Sequence, residues 1–216
     1  LLLSLDGGIL LDSAEQAGLA SLTANLMNEG TLVHSKEELS DELARLGSSI
    51  SFGVSGRNTF IKVNTLLKNL DETIALMNEM MFKPSFAQAD FDRVKNQLIQ
   101  GLEQGNKDAS TLATNAQRQI TYGESNRLGL PSSGTIATVT ALSLEDIKAF
   151  YQSYFSPVHA NLVVVGDIDK KQLLTKLWPL KSWQGNNYQI QTDTNFPLVT
   201  PNKLYFVDLP NASQSV

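Results

Sequence analysis

The side chains that could carry metal or acid–base chemistry are few and scattered. The 216-residue sequence contains two histidines, His34 and His159, far apart in the chain, and no cysteine. A zinc site built on histidine would need both of them together with carboxylates. Acidic pairs such as Glu37-Glu38 have the spacing of the solvent face of an amphipathic helix. We therefore interpret both histidines as surface residues and the acidic pairs as a solvated face.

Local signatures of other catalytic sites are missing from the sequence. The Gly7-Gly8 pair predicts a turn, and no phosphate-binding loop pattern surrounds it. The G-x-S-x-G elbow of serine hydrolases does not occur. A catalytic site without a local signature stays open as one hypothesis for this chain.

Composition narrows the class of protein and of partner. Hydrophobic residues make up 42% of the chain and charged residues 18%, which is typical of a globular domain. The net charge of −5 and the pI of about 5.0 disfavour nucleic acid and anionic membrane surfaces as partners. No apolar run approaches the roughly 18 residues of a membrane-spanning helix. The lack of cysteine excludes disulfides and thiolate metal sites, and it suits either the cytoplasm or an oxidising periplasm, of which we favour the periplasm.

The element around which the chain is organised is a predicted helix over residues 15–29. Its small and apolar residues recur at spacings of three and four, on one stripe formed by Ala17, Ala20, Ala24 and Met27 and another formed by Leu19, Leu22 and Leu26. A helix that is apolar on nearly every side is usually buried. Gly30 fits a left-handed cap at its carboxyl end.

This stretch resembles the motif helix of the insulinase/pitrilysin family of zinc peptidases, sometimes called inverzincins. In active members the helix runs roughly G-L-A-H-x-x-E-H-x-x-x-x-G-T, and the frame matches here at 18–20 and 30–31. The H-x-x-E-H positions place two zinc-binding imidazoles and a proton-accepting glutamate on one helix face. They fall on Ser21, Ala24 and Asn25. Because serine and asparagine are poor zinc ligands and alanine accepts no proton, the resemblance implies a helix that cannot run the family's reaction.

The third zinc ligand of active relatives is a glutamate on a later helix, which we predict over residues 87–105. Its inner face is marked by Phe91, Val94, Leu98 and Leu102. The matching neighbourhood, residues 96–101, reads N-Q-L-I-Q-G and contains no carboxylate. The first acidic residue beyond it is Glu103. The resemblance therefore implies no catalytic residue, no metal ligand and no cofactor in this chain, and it leaves the substrate-binding residues unassigned.

The remaining patterns predict an interleaved set of helices and strands. A second strong match to the family covers residues 141–168, from A-L-S-L-E-D-I to V-V-V-G-D-I. We expect an α+β fold with a largely antiparallel sheet and helices packed on one face, which the resemblance identifies as a LuxS/mitochondrial-processing-peptidase-like metallohydrolase half-subunit. The predicted strands are 1–5, 48–54, 58–66, 160–165 and 203–207, and the further helices are 35–46, 70–81, 108–122, 144–155 and 170–177, with a polar linker at 184–195.

The resemblance implies a function that depends on a partner. We expect a single peptidase-family domain over residues 1–216, within a longer protein. It would be a non-catalytic lobe that encloses and binds peptide substrate beside a catalytic lobe carrying H-x-x-E-H and zinc, in the same or another chain. The alternative is a structural subunit of a larger assembly that has lost proteolysis. Neither function involves nucleic acid or a membrane span.

Overall fold

A computed structural model describes residues 1–190, 193–198 and 203–209. Within them the chain forms an α+β fold on a four-stranded antiparallel sheet with the strand order β2-β3-β1-β4. The strands are β1 (Leu2–Asp6), β2 (Ser49–Ser55), β3 (Asn58–Asn64) and β4 (Ala160–Val163). The predicted fold class is confirmed, and β2 and β3 pair as an antiparallel hairpin.

Eight α-helices accompany the sheet in the described part of the chain. They are α1 (Leu19–Leu26), α2 (Lys36–Arg45), α3 (Leu70–Phe82), α4 (Gln88–Gly105), α5 (Ala109–Tyr122), α6 (Ile136–Ala141), α7 (Leu144–Tyr154) and α8 (Lys170–Lys176). Two predicted helix starts are confirmed by reciprocal capping boxes, Ser35 with Glu38 at α2 and Ser143 with Asp146 at α7. Sequence patterns did not indicate the short helix α6.

One face of the sheet is buried and the other is exposed. Ile61 of β3 lies opposite Leu3 of β1 and Phe52 of β2, and all three side chains are buried. The residues that alternate with them, such as Ser51 and Lys62, are exposed. Since successive strand residues point to opposite faces, this pattern places the helices and the core on a single side of the sheet.

The central helix α1 is buried as predicted, but it is shorter than predicted. Residues 15–18 form a turn, and the helix begins only after Gly18, whose φ of 102° is a left-handed conformation that favours glycine. At the other end Gly30 does not adopt a positive φ, so the prediction of a left-handed cap there is wrong. The helix has already ended at Leu26, and Gly30 instead accepts a hydrogen bond from the backbone amide of Ser85 at 3.0 Å.

The carboxyl-terminal predictions are only partly confirmed. Strand β4 ends at Val163, two residues early, and residues 203–207 do not form a strand. Their alternating apolar pattern has no hydrogen-bonded neighbour among the described residues, and Leu204 and Phe206 are 95% and 86% exposed. The polar linker has no helix or strand in its described residues, 184–190 and 193–195; residues 191–192 lie outside the description.

None of the described helices combines the length and the apolarity that crossing a bilayer requires.

Candidate functional site

Helix α1 carries the three positions at which the family resemblance places zinc chemistry. Ser21 is half-buried, and its hydroxyl donates a hydrogen bond to the backbone carbonyl of Ser132 at 2.9 Å. Ala24 is buried, at 2% exposure, and Asn25 is exposed. At the position of the proton acceptor, Ala24 thus places only a methyl group in the core. At one of the two ligand positions, the Ser21 hydroxyl is already hydrogen-bonded to a neighbouring loop.

The side chains of Ser21, Ala24 and Asn25 do not fit a zinc site. Zinc in proteins is held by imidazole, thiolate and carboxylate groups, usually three or four of them. No group of three or more such side chains able to hold a metal ion occurs within residues 1–190, 193–198 and 203–209. His34 is engaged elsewhere, with its Nδ1 2.8 Å from Oε1 of Glu79, and His159 has its Nε2 3.1 Å from the carbonyl of Tyr188. The structure does not bring the two histidines into one cluster.

Helix α4 packs against α1, as the position of the family's third ligand requires. Phe91 and Val94 are buried, whereas Leu98 and Leu102 are only partly buried. Residues 96, 97, 100 and 101 are exposed amides and a glycine, and Glu103 is exposed as well. The helix is therefore in the expected place without a carboxylate at the expected turn.

A buried carboxylate anchors the amino-terminal end of α1. Asp12 accepts hydrogen bonds from the backbone amides of Gly18 at 3.1 Å and Ala20 at 2.8 Å. Arg127 donates to the same carboxylate from Nη2 at 3.1 Å, and the two side chains are 0% and 7% exposed. Amide groups at a helix start carry partial positive charge and favour such an anion. Burial nevertheless raises the pKa of Asp12 to about 6, against the opposing effect of Arg127 and the two amides.

Arg127 also holds the loop at residues 130–134 against α1. The Arg127 guanidinium donates to the carbonyls of Leu130, Pro131 and Ser132 at 3.1–3.3 Å. At Gly134 an added Cβ would lie 2.1 Å from the carbonyl oxygen of Ala17, so only glycine permits this approach. Asp12 and Arg127 thus hold both the helix and the loop that covers its Ser21 position.

The carboxyl-terminal end of α1 is fixed to the sheet by one amide side chain. Asn28 donates from Nδ2 to the carbonyl of Phe52 at 2.9 Å and accepts from the Phe52 backbone amide at 2.8 Å. These two hydrogen bonds satisfy both backbone groups of Phe52, on the side of β2 that faces the helix. With Asp12 at one end and Asn28 at the other, α1 is anchored at both of its termini.

Comparison with protein families accounts for this architecture. The family profile described as insulinase (peptidase family M16) matches residues 1–135, and the profile described as the peptidase M16 inactive domain matches residues 141–212. The chain belongs to the M16 family. The insulinase resemblance of the motif helix is therefore confirmed, and the M16 fold with its inactive-domain match supports a non-catalytic M16-like half.

Curated relatives include both a non-peptidase homolog and a probable zinc protease. YmxG of Helicobacter pylori, a non-peptidase homolog, is 27% identical over 175 residues, which cover 81% of this chain and 40% of that protein. PqqL of Escherichia coli, a probable zinc protease, is 23% identical over 179 residues, which cover 80% of this chain and 19% of that protein. The chain thus spans less than half the length of either relative.

Solved M16 structures share the fold. A protease from Helicobacter pylori superposes with a TM-score of 0.80 at 17% identity, over 91% of this chain and 48% of that one. The periplasmic protease PqqL from Escherichia coli superposes with a TM-score of 0.74 at 20% identity, over 89% of this chain and 22% of that one. At these identities the likeness concerns the fold alone.

Sequence reasoning missed the residues that anchor the M16 motif helix. Asp12 and Arg127 are 115 positions apart, and Asn28 and Phe52 are 24 apart, so no local pattern links them. One signal was available for Asp12, because an acidic residue shortly before a helix often accepts its first amides. We find no comparable signal for Arg127, which lies in a loop of mixed composition.

Proposed function

We propose that this chain is a non-catalytic M16 lobe that encloses and binds peptide substrate beside a catalytic lobe. The catalytic lobe carries H-x-x-E-H and its zinc, in the same polypeptide or in another chain. This chain holds no zinc and cleaves no peptide bond by the family's mechanism. The observation that carries the proposal is the motif helix, which presents Ser21, Ala24 and Asn25 where that mechanism needs two imidazoles and a carboxylate.

The anchoring of α1 supports a retained structural role for the helix. The buried Asp12–Arg127 pair is costly to desolvate unless the polar atoms of each partner are hydrogen-bonded. Here the carboxylate has two backbone donors besides Arg127, and Arg127 has three carbonyl acceptors besides Asp12. The lobe therefore keeps the family's shape at the helix while its chemical positions are substituted.

The sheet supports peptide binding in a general way. Extended peptides commonly add as a strand to an exposed sheet edge. Strand β4 is an outer strand of the described sheet, and it exposes Leu162 and Val163. We assign the contact to no single residue, and the peptide's sequence stays open.

A second candidate function is that of a structural subunit in a larger assembly that has lost proteolysis. The observation that favours it is the similarity to YmxG, which is a non-peptidase homolog. Both functions are compatible with every feature of α1 described above. They differ in whether the chain contacts a peptide and changes cleavage by a partner.

We also propose a periplasmic location. The absence of cysteine suits an oxidising compartment. PqqL of Escherichia coli, which shares the fold, is a periplasmic protease.

The test is a binding and cleavage assay with the full-length polypeptide that contains this chain. Fluorescence anisotropy of a labelled unstructured peptide measures binding, and release of a quenched fluorophore by the H-x-x-E-H lobe measures cleavage with and without this lobe. The proposal predicts peptide binding and a rise in kcat/KM of the catalytic lobe when the two are combined. Binding to the catalytic lobe without either effect would favour the structural subunit, and cleavage by this lobe alone would refute both functions.

A further inference from the structure

An exposed patch on α8 and the following turn combines apolar and basic side chains. Leu174 in α8 and Trp178 in the following turn are 57% and 64% exposed, whereas the neighbouring Leu177 is buried against the core. Lys170 and Lys171 line the same shallow depression. A large exposed apolar surface with a polar rim is typical of an interaction site. We call Lys170, Lys171, Leu174, Trp178 and Lys181 together the α8 patch.

The charge of the α8 patch is opposite to that of the chain. The chain carries a net charge of −5, yet residues 167–192 contain four lysines against two aspartates, Asp167 and Asp169. Of these lysines, Lys176 is bound to Asp71 at 2.6 Å, and Lys181 lies with its Nζ 4.1 Å from the centre of the Trp178 ring. A cation over an indole face is attracted to it and keeps the ring in place. The patch thus presents three lysines around two apolar side chains.

The geometry points to an acidic peptide segment with apolar residues as the partner, and we propose that the α8 patch binds it. Leu174 lies in α8 and Trp178 opens the 3-10 turn that follows it, and both line the same depression as Lys170 and Lys171. Two apolar side chains of the peptide would contact Leu174 and Trp178, and its carboxylates would pair with Lys170, Lys171 and Lys181.

A protein partner fits the observations better than an anionic membrane. Surface-binding helices bury a long apolar face in the lipid headgroups, whereas α8 spans seven residues and the patch has two exposed apolar side chains, Leu174 in α8 and Trp178 after it. The chain as a whole is acidic, so a wide anionic surface repels most of it while a short acidic peptide meets only the patch. This inference does not depend on the proposed function.

The experiment measures anisotropy of a labelled peptide that alternates aspartate with leucine, mixed with the full-length polypeptide at low and high salt. We expect binding that weakens about tenfold when salt rises from about 50 to 300 mM, since the contacts are ionic. The Lys170→Glu/Leu174→Ser variant should weaken binding by about tenfold or more. The matched control is Lys68→Glu/Leu67→Ser, which makes the same changes at an equally exposed apolar–lysine surface without an aromatic ring.

Three results would overturn the proposal. The first is equal binding of a peptide with asparagine in place of aspartate, and the second is an equal loss of binding in the control variant. The third is the absence of peptide binding, whether or not the polypeptide binds vesicles containing phosphatidylglycerol. Trp178→Phe provides a check that does not change charge, and it should weaken binding while circular dichroism stays that of the wild type.

Discussion

Replacing Asp12 by alanine is the perturbation that most directly tests how the motif helix is held. At pH 8 the Asp12 carboxyl is ionised, because its pKa is about 6. Its removal leaves the buried Arg127 guanidinium without its anion and the amides of Gly18 and Ala20 without their acceptor. We therefore expect Asp12→Ala to lower the free energy of unfolding substantially and to loosen α1.

The expected size follows from the contacts that remain. Removing one partner of a buried ion pair costs about 3–5 kcal/mol. Arg127 keeps three carbonyl acceptors, at Leu130, Pro131 and Ser132, which places the loss near the lower end of that range. A loss of about 3 kcal/mol corresponds to a fall in Tm of about 6–12 °C for a domain of this size.

The assay is urea unfolding at pH 8, followed by circular dichroism, together with hydrogen exchange of the Ala20 amide. Asp6→Ala is the matched control, because Asp6 also pairs with an arginine, Arg57, whose side chain is 59% exposed. Exposed pairs are screened by solvent, so this control should leave stability nearly unchanged. The Asp12→Ala/Arg127→Met variant should lose less than the sum of the two single variants, since it leaves no buried charge unpaired.

The raised pKa of Asp12 adds a pH dependence of defined sign. Between its folded pKa of about 6 and its ordinary value of 3.8, the folded state binds a proton that the unfolded state does not. Stability from this carboxyl therefore grows as pH falls through that window, and the advantage of wild type over Asp12→Asn should increase from pH 7 to about pH 4. An Asp12→Ala loss below about 1 kcal/mol, no larger than that of a neutral hydrogen bond, would refute the anchoring role.

Two further predictions concern residues beyond the ion pair. Asn28→Ala should lower the free energy of unfolding by about 1–3 kcal/mol and speed hydrogen exchange of the Phe52 amide, because it leaves two backbone groups unpaired. The control Asn25→Ala, at an exposed position, should change that free energy by less than about 0.5 kcal/mol. Equal losses of the two variants in urea unfolding would contradict this prediction. The hydrogen bond to Glu79 raises the pKa of His34 above its usual 6.5, so the advantage of wild type over His34→Gln should be full below pH 6.5 and decline as pH rises through the raised pKa. A difference that does not vary with pH would rule out this charge pairing.

Local patterns were sufficient to predict most elements of the fold. The spacing of Ser35 and Glu38 predicts a capping box, and the structure has both of its hydrogen bonds. The alternation of Ile50 and Phe52 predicts a half-buried strand, and both side chains are buried. These predictions succeed because their physical cause lies within a few residues of the pattern.

Other features depend on contacts that a local pattern does not contain. Gly30 has the sequence context of a left-handed cap, but the helix ends at Leu26, and Asn28 beyond that end pairs with Phe52 of a distant strand. Residues 203–207 alternate like a strand, yet a strand also needs a neighbour, which the described residues do not provide. The ion pair of Asp12 and Arg127 joins positions 115 residues apart, so only the tertiary structure brings the two side chains together.

Zinc content is the measurement that tests the central claim most directly. Elemental analysis of the full-length polypeptide should be compared with that of the Ser21→Ala/Asn25→Ala variant, both purified with zinc present. Our account predicts the same zinc content in both proteins, because neither side chain binds the metal. Loss of one zinc per polypeptide in the variant would contradict it and would return this helix to the catalytic members of the family.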